Sequence, residues 1–287
     1  MASVITVSGG PPGRTRHEHL SWKQTRMARI YYVGDWAVLT GPWFAESPFQ
    51  NAMKGLDVFN YGTWLTEALE STGEHEVTSV PSWDFYKLGP GEYERVLADY
   101  DVVIFSDVEG KLFQLAPNFF DRSKFGNGVL TFPDRMRLTR EAVQAGKGLM
   151  LLGGWYSFTG EQGKGGWGRT LLKDAMPVVC LEHEDLVEST EGYHPIASDA
   201  GRLAFGDLDL ASCPPILGYN QVRTKPGVEP LLTLKETGDP LLVSQRLGKG
   251  HVVCYMSDPA PHWACNLVFW EHYAAFWLQC LRLALGG

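Results

Sequence analysis

Basic residues are scarce. Lys and Arg together number 25 against 33 Asp and Glu, a formal net charge of −8 over 287 residues. No basic run occurs outside the first thirty residues. Phosphate backbones are bound by clustered Lys and Arg, so nucleic acid is not an expected partner. Long apolar runs are also lacking. No stretch approaches the ~20 residues needed to cross a bilayer, and the first residues carry no apolar signal region. No membrane partner is expected, and the expected location is cytoplasmic. The five cysteines, Cys180, Cys213, Cys254, Cys265 and Cys280, are scattered and form no CxxC pair. An odd, dispersed set reads as reduced thiols. There is no Walker G-K-[ST] pattern, no tight spacing of metal ligands and no internal repeat, so neither a metal ion nor a cofactor is expected.

What is present suits a large core: 44% hydrophobic residues, 12% of the chain aromatic. Residues 1–28 stand apart. They hold Gly9, Gly10, Pro11, Pro12 and Gly13, then a basic tract with Arg14, Arg16, His17, His19, Lys23 and Arg26. They read as an N-terminal extension that either packs on a neighbour or serves as an arm for a negatively charged partner. The domain spans 29–287. Ile30–Val33 reads as a first parallel strand, residues 41–57 as a long loop, and Tyr61–Thr72 as a helix with Trp64, Leu65, Ala68 and Leu69 on one face. Strands at Val77–Val80 and Asp101–Asp107 alternate with helices at Gly91–Asp99 and Leu138–Ala145. That alternation specifies a doubly wound, mainly parallel α/β sheet with right-handed crossovers. Between about 180 and 250 the chain turns to short β-like runs. One pair, Leu241–Arg246 and His251–Met256, reads as a hairpin. A terminal helix spans Leu267–Leu285. Its apolar positions, Phe269, Trp270, Tyr273, Phe276, Trp277, Leu278, Leu281 and Leu285, exceed the stripe a surface helix needs, and a homo-oligomer is therefore expected.

The chain is organised around residues 146–168. Leu149-Met150-Leu151-Leu152 is an unbroken apolar run bounded by glycine, which suits a strand buried on both faces. Gly153 and Gly154 then allow a sharp turn. Trp155, Tyr156, Ser157 and Phe158 follow at the carboxyl end, the edge at which open α/β sheets bind ligands. The glycine-rich loop beyond, with Lys164 and Arg169, is either a flexible connection or an anion cradle, and leads to a helix expected near Arg169–Ala175.

Three further blocks accompany LLGGWYSF: GYHPIAS (192–198), PPILGYNQVRTK (214–225), and GDPLLVSQRLGKGHVVCYMSDPAPHW (238–263) with the Trp-rich terminal helix. Together they resemble the putative glutamine amidotransferase-like family of the class I glutamine amidotransferase-like superfamily, and more distantly the ThuA-like proteins. The resemblance implies a flavodoxin-like sheet with a nucleophile elbow after a central strand. It also implies a Cys at that elbow, with a His and a Glu on a later strand completing the triad. This chain departs from the pattern, because Gly153-Gly154-Trp155-Tyr156-Ser157 places an aromatic where the Cys belongs. Thiolate-dependent glutamine hydrolysis is therefore not expected.

The remaining candidates end strands read as parallel. His262 lies where the superfamily's catalytic His is expected, and serves either in acid–base work or as a packed ring beside Trp263. Asp35, Asp107 and Asp258 are turn acids that can converge on one edge as acid–base groups or hydroxyl acceptors. Ser157 either caps the turn or acts as a substitute nucleophile paired with His262. Trp36, Trp155 and Trp263 either roof the core or form a platform for a sugar or another flat ligand, with Gly153, Gly154 and Tyr156 beside them. His194 reads as structural. The reading is of a protein that acts on or binds a small polar molecule, a carbohydrate or an amide. The alternative is a non-catalytic ligand-binding or assembly protein with the same fold.

Overall fold

The pattern Ile30-Tyr31-Tyr32-Val33 divides cleanly between two faces. Ile30 and Tyr32 are buried in one hydrophobic cluster, Tyr31 and Val33 in another. The same two-residue period separates Met150 and Leu152 from Leu149 and Leu151. A sheet whose strands bury both faces needs helices on each side. The computed structural model describes residues 27–40, 43–47, 50–53, 56–89, 91–121, 123 and 128–287, and it has this layered form. Of the N-terminal extension expected over residues 1–28, residues 1–26 lie outside the described residues, and Ala28 already belongs to the first strand.

The main sheet has eight strands: β1 (Ala28–Gly34), β2 (His75–Val80), β3 (Val102–Ser106), β4 (Gly148–Leu152), β5 (Pro195–Ala197), β6 (Leu232–Leu234), β7 (Pro240–Leu247) and β8 (Gly250–Tyr255). Their spatial order is β5-β6-β7-β8-β4-β3-β1-β2. The five strands β2, β1, β3, β4 and β8 run parallel, and β7, β6 and β5 extend the sheet by antiparallel pairing. The parallel part has the flavodoxin-like order, with its switch point between β1 and β3. On one face lie α1 (Thr63–Glu70) and the terminal helix Tyr273–Leu285, with Leu65, Leu69, Phe276, Trp277 and Leu281 in the core. The opposite face is covered by helices Ser82–Lys87, Glu92–Asp99 and Arg135–Ala145, through Phe85, Tyr93, Met136 and Val143.

Several expectations need correction. Residues 41–57 are not simply a loop. Trp36–Thr40 pairs antiparallel with Leu56–Asn60, and Trp43–Ser47 with Gln50–Met53. The aromatic and glycine content of this stretch obscured the strand period. No α-helix follows the glycine-rich loop; Leu171–Asp174 is a 3-10 turn, capped by the Thr170 hydroxyl. Its four residues are too few for an α-helix before Met176-Pro177 turns the chain extended. The terminal helix begins at Tyr273, not Leu267, after a short 3-10 turn at Leu267–Phe269. Tyr273, Phe276, Trp277, Cys280, Leu281 and Ala284 are buried within the chain, whereas Phe269 and Leu285 are exposed. The hairpin of β7 and β8 is present as expected, in register from Leu242↔Tyr255 to Leu247↔Gly250. Among the described residues no helix is long and apolar enough to cross a membrane.

Candidate functional site at the carboxyl edge

The register brings Gly34, Ser106 and Leu152 abreast as the last residues of β1, β3 and β4. Asp35 and Asp107 are the next residues of their strands, and both take a left-handed conformation at φ +53°. That conformation is uncommon outside glycine, and Asp is among the residues that tolerate it. Each aspartate thereby turns off its strand at the switch point. Gly34 cannot be replaced there, since a Cβ on it would lie 1.6 Å from the Ser106 carbonyl oxygen.

Asp35, Trp36, Tyr61, Asp107, Glu109, Trp155, Tyr156, Asp258 and His262 line one cavity of about 560 Å³. A larger cavity of about 660 Å³ lies at the amino ends of the strands, with Ala28, Leu97, Ala142 and Ala145 in its wall. Its wall is mainly aliphatic and gathers no comparable set of ionisable groups.

Asp258 closes the turn after β8. Its Oδ1 accepts from the amide of Ala264 (3.0 Å) and its Oδ2 from that of Trp263 (3.2 Å). The same Oδ2 lies 2.7 Å from His262 Nδ1. The carboxyl is buried while the His262 side chain is 37% exposed. Nδ1 is thus committed to Asp258, and Nε2 is the nitrogen left to face solvent or a ligand. Burial pulls the imidazole pKa down, but the bond to Asp258 and the charges of Asp258, Asp107 and Glu188 outweigh it, and the net shift is upward.

Asp35 and Asp107 shift the opposite way from ordinary surface carboxyls. Burial, reinforced by Asp107 and Asp258, raises Asp35 to about 7, although the Tyr32 hydroxyl donates to its Oδ2 and opposes the rise. Burial, with Asp258 and Glu109, raises Asp107 to about 6. Carboxyls crowded in a dry site cannot all ionise together, so these titrate close to neutrality.

The turn after β4 departs from the geometry the family resemblance implies. Positive φ falls at Gly154 (+143°) and Phe158 (+50°), not at Trp155. The amide of Gly154 donates to Asn220 Oδ1 (3.0 Å), and that of Tyr156 to Asp107 Oδ1 (2.6 Å). Amides that would face a developing oxyanion are therefore engaged by side chains of this chain. Asn220 is fully buried, and its Nδ2 also donates to the Gly154 carbonyl (3.1 Å) and to Asp185 Oδ1 (3.0 Å).

Ser157 does not line the cavity. It is fully buried, its hydroxyl donating to the Leu152 carbonyl (2.6 Å) and accepting from the Asp107 amide (3.0 Å). It holds the turn and Asp107 and is not placed as a nucleophile toward His262. Gly153 is likewise backbone scaffolding, its amide shared between the Tyr255 and Ser257 carbonyls. Trp263 is buried behind His262, its ring stacked on the imidazole at 5.1 Å. Trp155 meets the same imidazole edge-on at 4.6 Å and is 44% exposed. Trp36 donates its indole N–H to Ser79. His194 pairs with Glu236 (2.8 Å) at the surface, far in chemistry from the cavity.

Sequence reasoning missed Glu188, Asn220, Tyr61 and Glu109. Glu188 and Asn220 sit on paired strands, Leu186–Tyr193 and Ile216–Asn220; Asn220 lies inside the block PPILGYNQVRTK, which marked the family without marking a role for it. Glu109 stands two residues beyond Asp107 and could have been found by extending that strand end. Among the described residues no three His, Cys, Asp or Glu side chains come together as a metal site.

A family model described as "Putative glutamine amidotransferase" matches residues 44–285. No curated protein matches the chain. Among solved structures, a cytoplasmic protein from Salmonella typhimurium superposes with a TM-score of 0.76 at 25% identity, covering 89% of this chain and 98% of its own. A second cytoplasmic protein, from Salmonella typhimurium LT2, gives the same TM-score at 28% identity, over 89% and 99%. A ThuA-like protein from Parabacteroides merdae aligns over 90% of each chain at 12% identity, but its TM-score of 0.45 is too low to bear on function. With the family's model matched over most of its length and the sheet in flavodoxin-like order, this chain belongs to the putative glutamine amidotransferase family.

Proposed function

We propose that the protein binds a small, uncharged, hydroxyl-rich molecule of the carbohydrate class at the carboxyl edge of its sheet and moves protons on it, without hydrolysing glutamine. The observation that carries this reading is the convergence of the Asp258–His262 pair with two carboxyls of raised pKa in one aromatic-walled cavity. Four acidic side chains, Asp35, Asp107, Glu109 and Asp258, face a single imidazole, so an anionic ligand is repelled. Hydroxyl groups suit carboxyl acceptors, and the indole faces suit the apolar side of a sugar ring.

In this reading His262 Nε2 accepts a proton from the ligand, while Asp258 holds Nδ1–H and stabilises the imidazolium. Asp107 or Asp35, in its acid form, returns a proton to another position. Groups whose pKa values lie near the working pH serve best in such transfers. The engaged amides of Gly154 and Tyr156 favour a second reading, a ligand-binding protein that keeps the cavity and performs no chemistry.

The test is a thermal-shift screen of neutral monosaccharides, polyols and primary amides, because a ligand that binds only the folded state raises the melting temperature. Neutral sugars or polyols should raise it in wild type and lose the effect in Trp155→Ala. A hit recovered chemically unchanged after long incubation selects the binding reading. A response confined to anions, or none in any class, contradicts both.

A further inference from the structure

Glu188 belongs to no expected site, yet one of its oxygens receives two indole N–H groups. Trp155 Nε1 donates to Glu188 Oε1 at 3.0 Å and Trp263 Nε1 to the same atom at 2.7 Å. These are the two rings that enclose His262, one edge-on and one stacked. Trp263 is further fixed from behind, where the Gly218 backbone lies against its indole; a Cβ on Gly218 would fall 2.4 Å from Trp263 Nε1. Trp155 has no such backing. It is 44% exposed and stands on a turn, so the bond to Glu188 is its main polar restraint among the described residues.

We propose that Glu188 is a positioning residue that ties Trp155 to Trp263 and so fixes the aromatic walls around the His262 imidazole. The inference rests on the proposed function only in giving His262 its chemical role; the clamp itself is geometric. A carboxylate is the apt acceptor, since two N–H donors converge on one oxygen and a charge strengthens both bonds. The donors lower the Glu188 pKa, the Trp155 bond first, which keeps the carboxylate ionised. An ionised Glu188 also faces His262 from the strand side, beside Asp258 on its own turn and Asp107 from β3, and all three favour the imidazolium.

Glu188→Gln keeps an acceptor oxygen and removes the charge; Glu188→Ala removes both. The measurement is an NMR pH titration of the His262 ring protons with the indole N–H resonances of Trp155 and Trp263, which needs no substrate. In Glu188→Gln the indole and His262 ring-current shifts should stay near wild type while the His262 midpoint moves down. In Glu188→Ala the midpoint should move down as well, the Trp155 indole N–H should exchange faster with water, and the His262 ring-current shift should shrink. If Glu188→Ala does not fold, Glu188→Leu, which keeps the side chain's bulk and removes both acceptor oxygens, decides through the same indole exchange and ring-current shift. An unchanged Trp155 indole exchange rate and His262 ring-current shift in Glu188→Ala would overturn the proposal, whatever the midpoint does. A failure of the acid–base reading is separately visible: the clamp behaves as stated in these spectra, yet His262→Ala binds and processes the ligand like wild type.

Discussion

Asn220 and the backbone of Gly154 are joined by two reciprocal hydrogen bonds, one into Asn220 Oδ1 from the Gly154 amide at 3.0 Å and one from Asn220 Nδ2 to the Gly154 carbonyl at 3.1 Å. The side chain thus completes both polar groups of the residue that, in a working amidotransferase turn, precedes the nucleophile. Asp185 anchors Asn220 in turn, and accepts from the amides of Thr159 (2.9 Å) and Gly160 (2.8 Å) on the far side of the loop.

Asn220→Ala should therefore destabilise the fold by about 1–3 kcal/mol, because it leaves buried polar groups of Gly154 and Asp185 without their partner. Chemical denaturation of the two proteins measures it. A variant as stable as wild type would mean that water replaces the amide at no cost.

Gly154→Ala is a separate probe of the same turn. Its φ of +143° disfavours any side chain, and a Cβ there would lie 2.6 Å from Asp107 Oδ1. A loss of about 1–3 kcal/mol is expected from the backbone alone, with Asp107 displaced besides. Ligand binding should weaken more than stability predicts, which parallel melting and binding measurements would reveal.

No ammonia should be released from glutamine. Trp155 stands at the elbow, and burial pushes the Cys180 and Cys213 thiols up to about 12, so neither is a thiolate at neutral pH. Cys254 and Cys280 are buried in the core, and Cys265 does not line the cavity. Glutamine-dependent ammonia release that disappears in Cys265→Ala would contradict this.

Much of the fold was legible because its signals are periodic. The two-faced burial of Leu149–Leu152 and the pairing of Leu241–Arg246 with His251–Met256 each follow from local chemistry. The strand ends could be read too, and with them Asp35, Asp107, Asp258 and His262 as neighbours. Ser157 kept two readings because a hydroxyl after a tight turn serves a nucleophile and a scaffold equally well in sequence; its bonds to the Leu152 carbonyl and the Asp107 amide select the scaffold. Glu188 could not be read at all. Its partners, Trp155 and Trp263, lie 33 and 75 residues away, and no local pattern encodes that meeting.

Stability should fall as pH rises through the weakly acidic range. Asp35 ionises near its ordinary value of 3.8 in the unfolded chain but at about 7 when folded. Between those values the folded state holds more protons, so each rise in pH favours unfolding, and the effect levels off above about 7. The raised pKa of His262 acts in the same direction, its stabilisation being present below the unfolded value and lost as pH passes the folded one. Asp35→Asn keeps the shape and removes the ionisation. Its stability advantage over wild type should be absent near pH 4, grow toward pH 7 and then stay constant. A difference independent of pH would show that Asp35 titrates normally.

Trp277→Ala should cost about 3–5 kcal/mol, since the ring is fully buried between the terminal helix and the sheet and leaves a cavity behind. Because the covering residues belong to the same chain, the loss should not depend on protein concentration, and the mass in solution should match wild type. Dissociation of a larger species on this substitution would instead place the ring at an interface.

The central claim is that the ligand sits between the aromatic wall and the Asp258–His262 pair. A crystal structure with the strongest neutral sugar or polyol from the thermal screen tests it most directly. Ligand density is expected against Trp155, with hydroxyl groups within hydrogen-bond reach of Asp107 and His262 Nε2. Well-ordered ligand bound elsewhere on the protein, with this cavity holding only water, would contradict it.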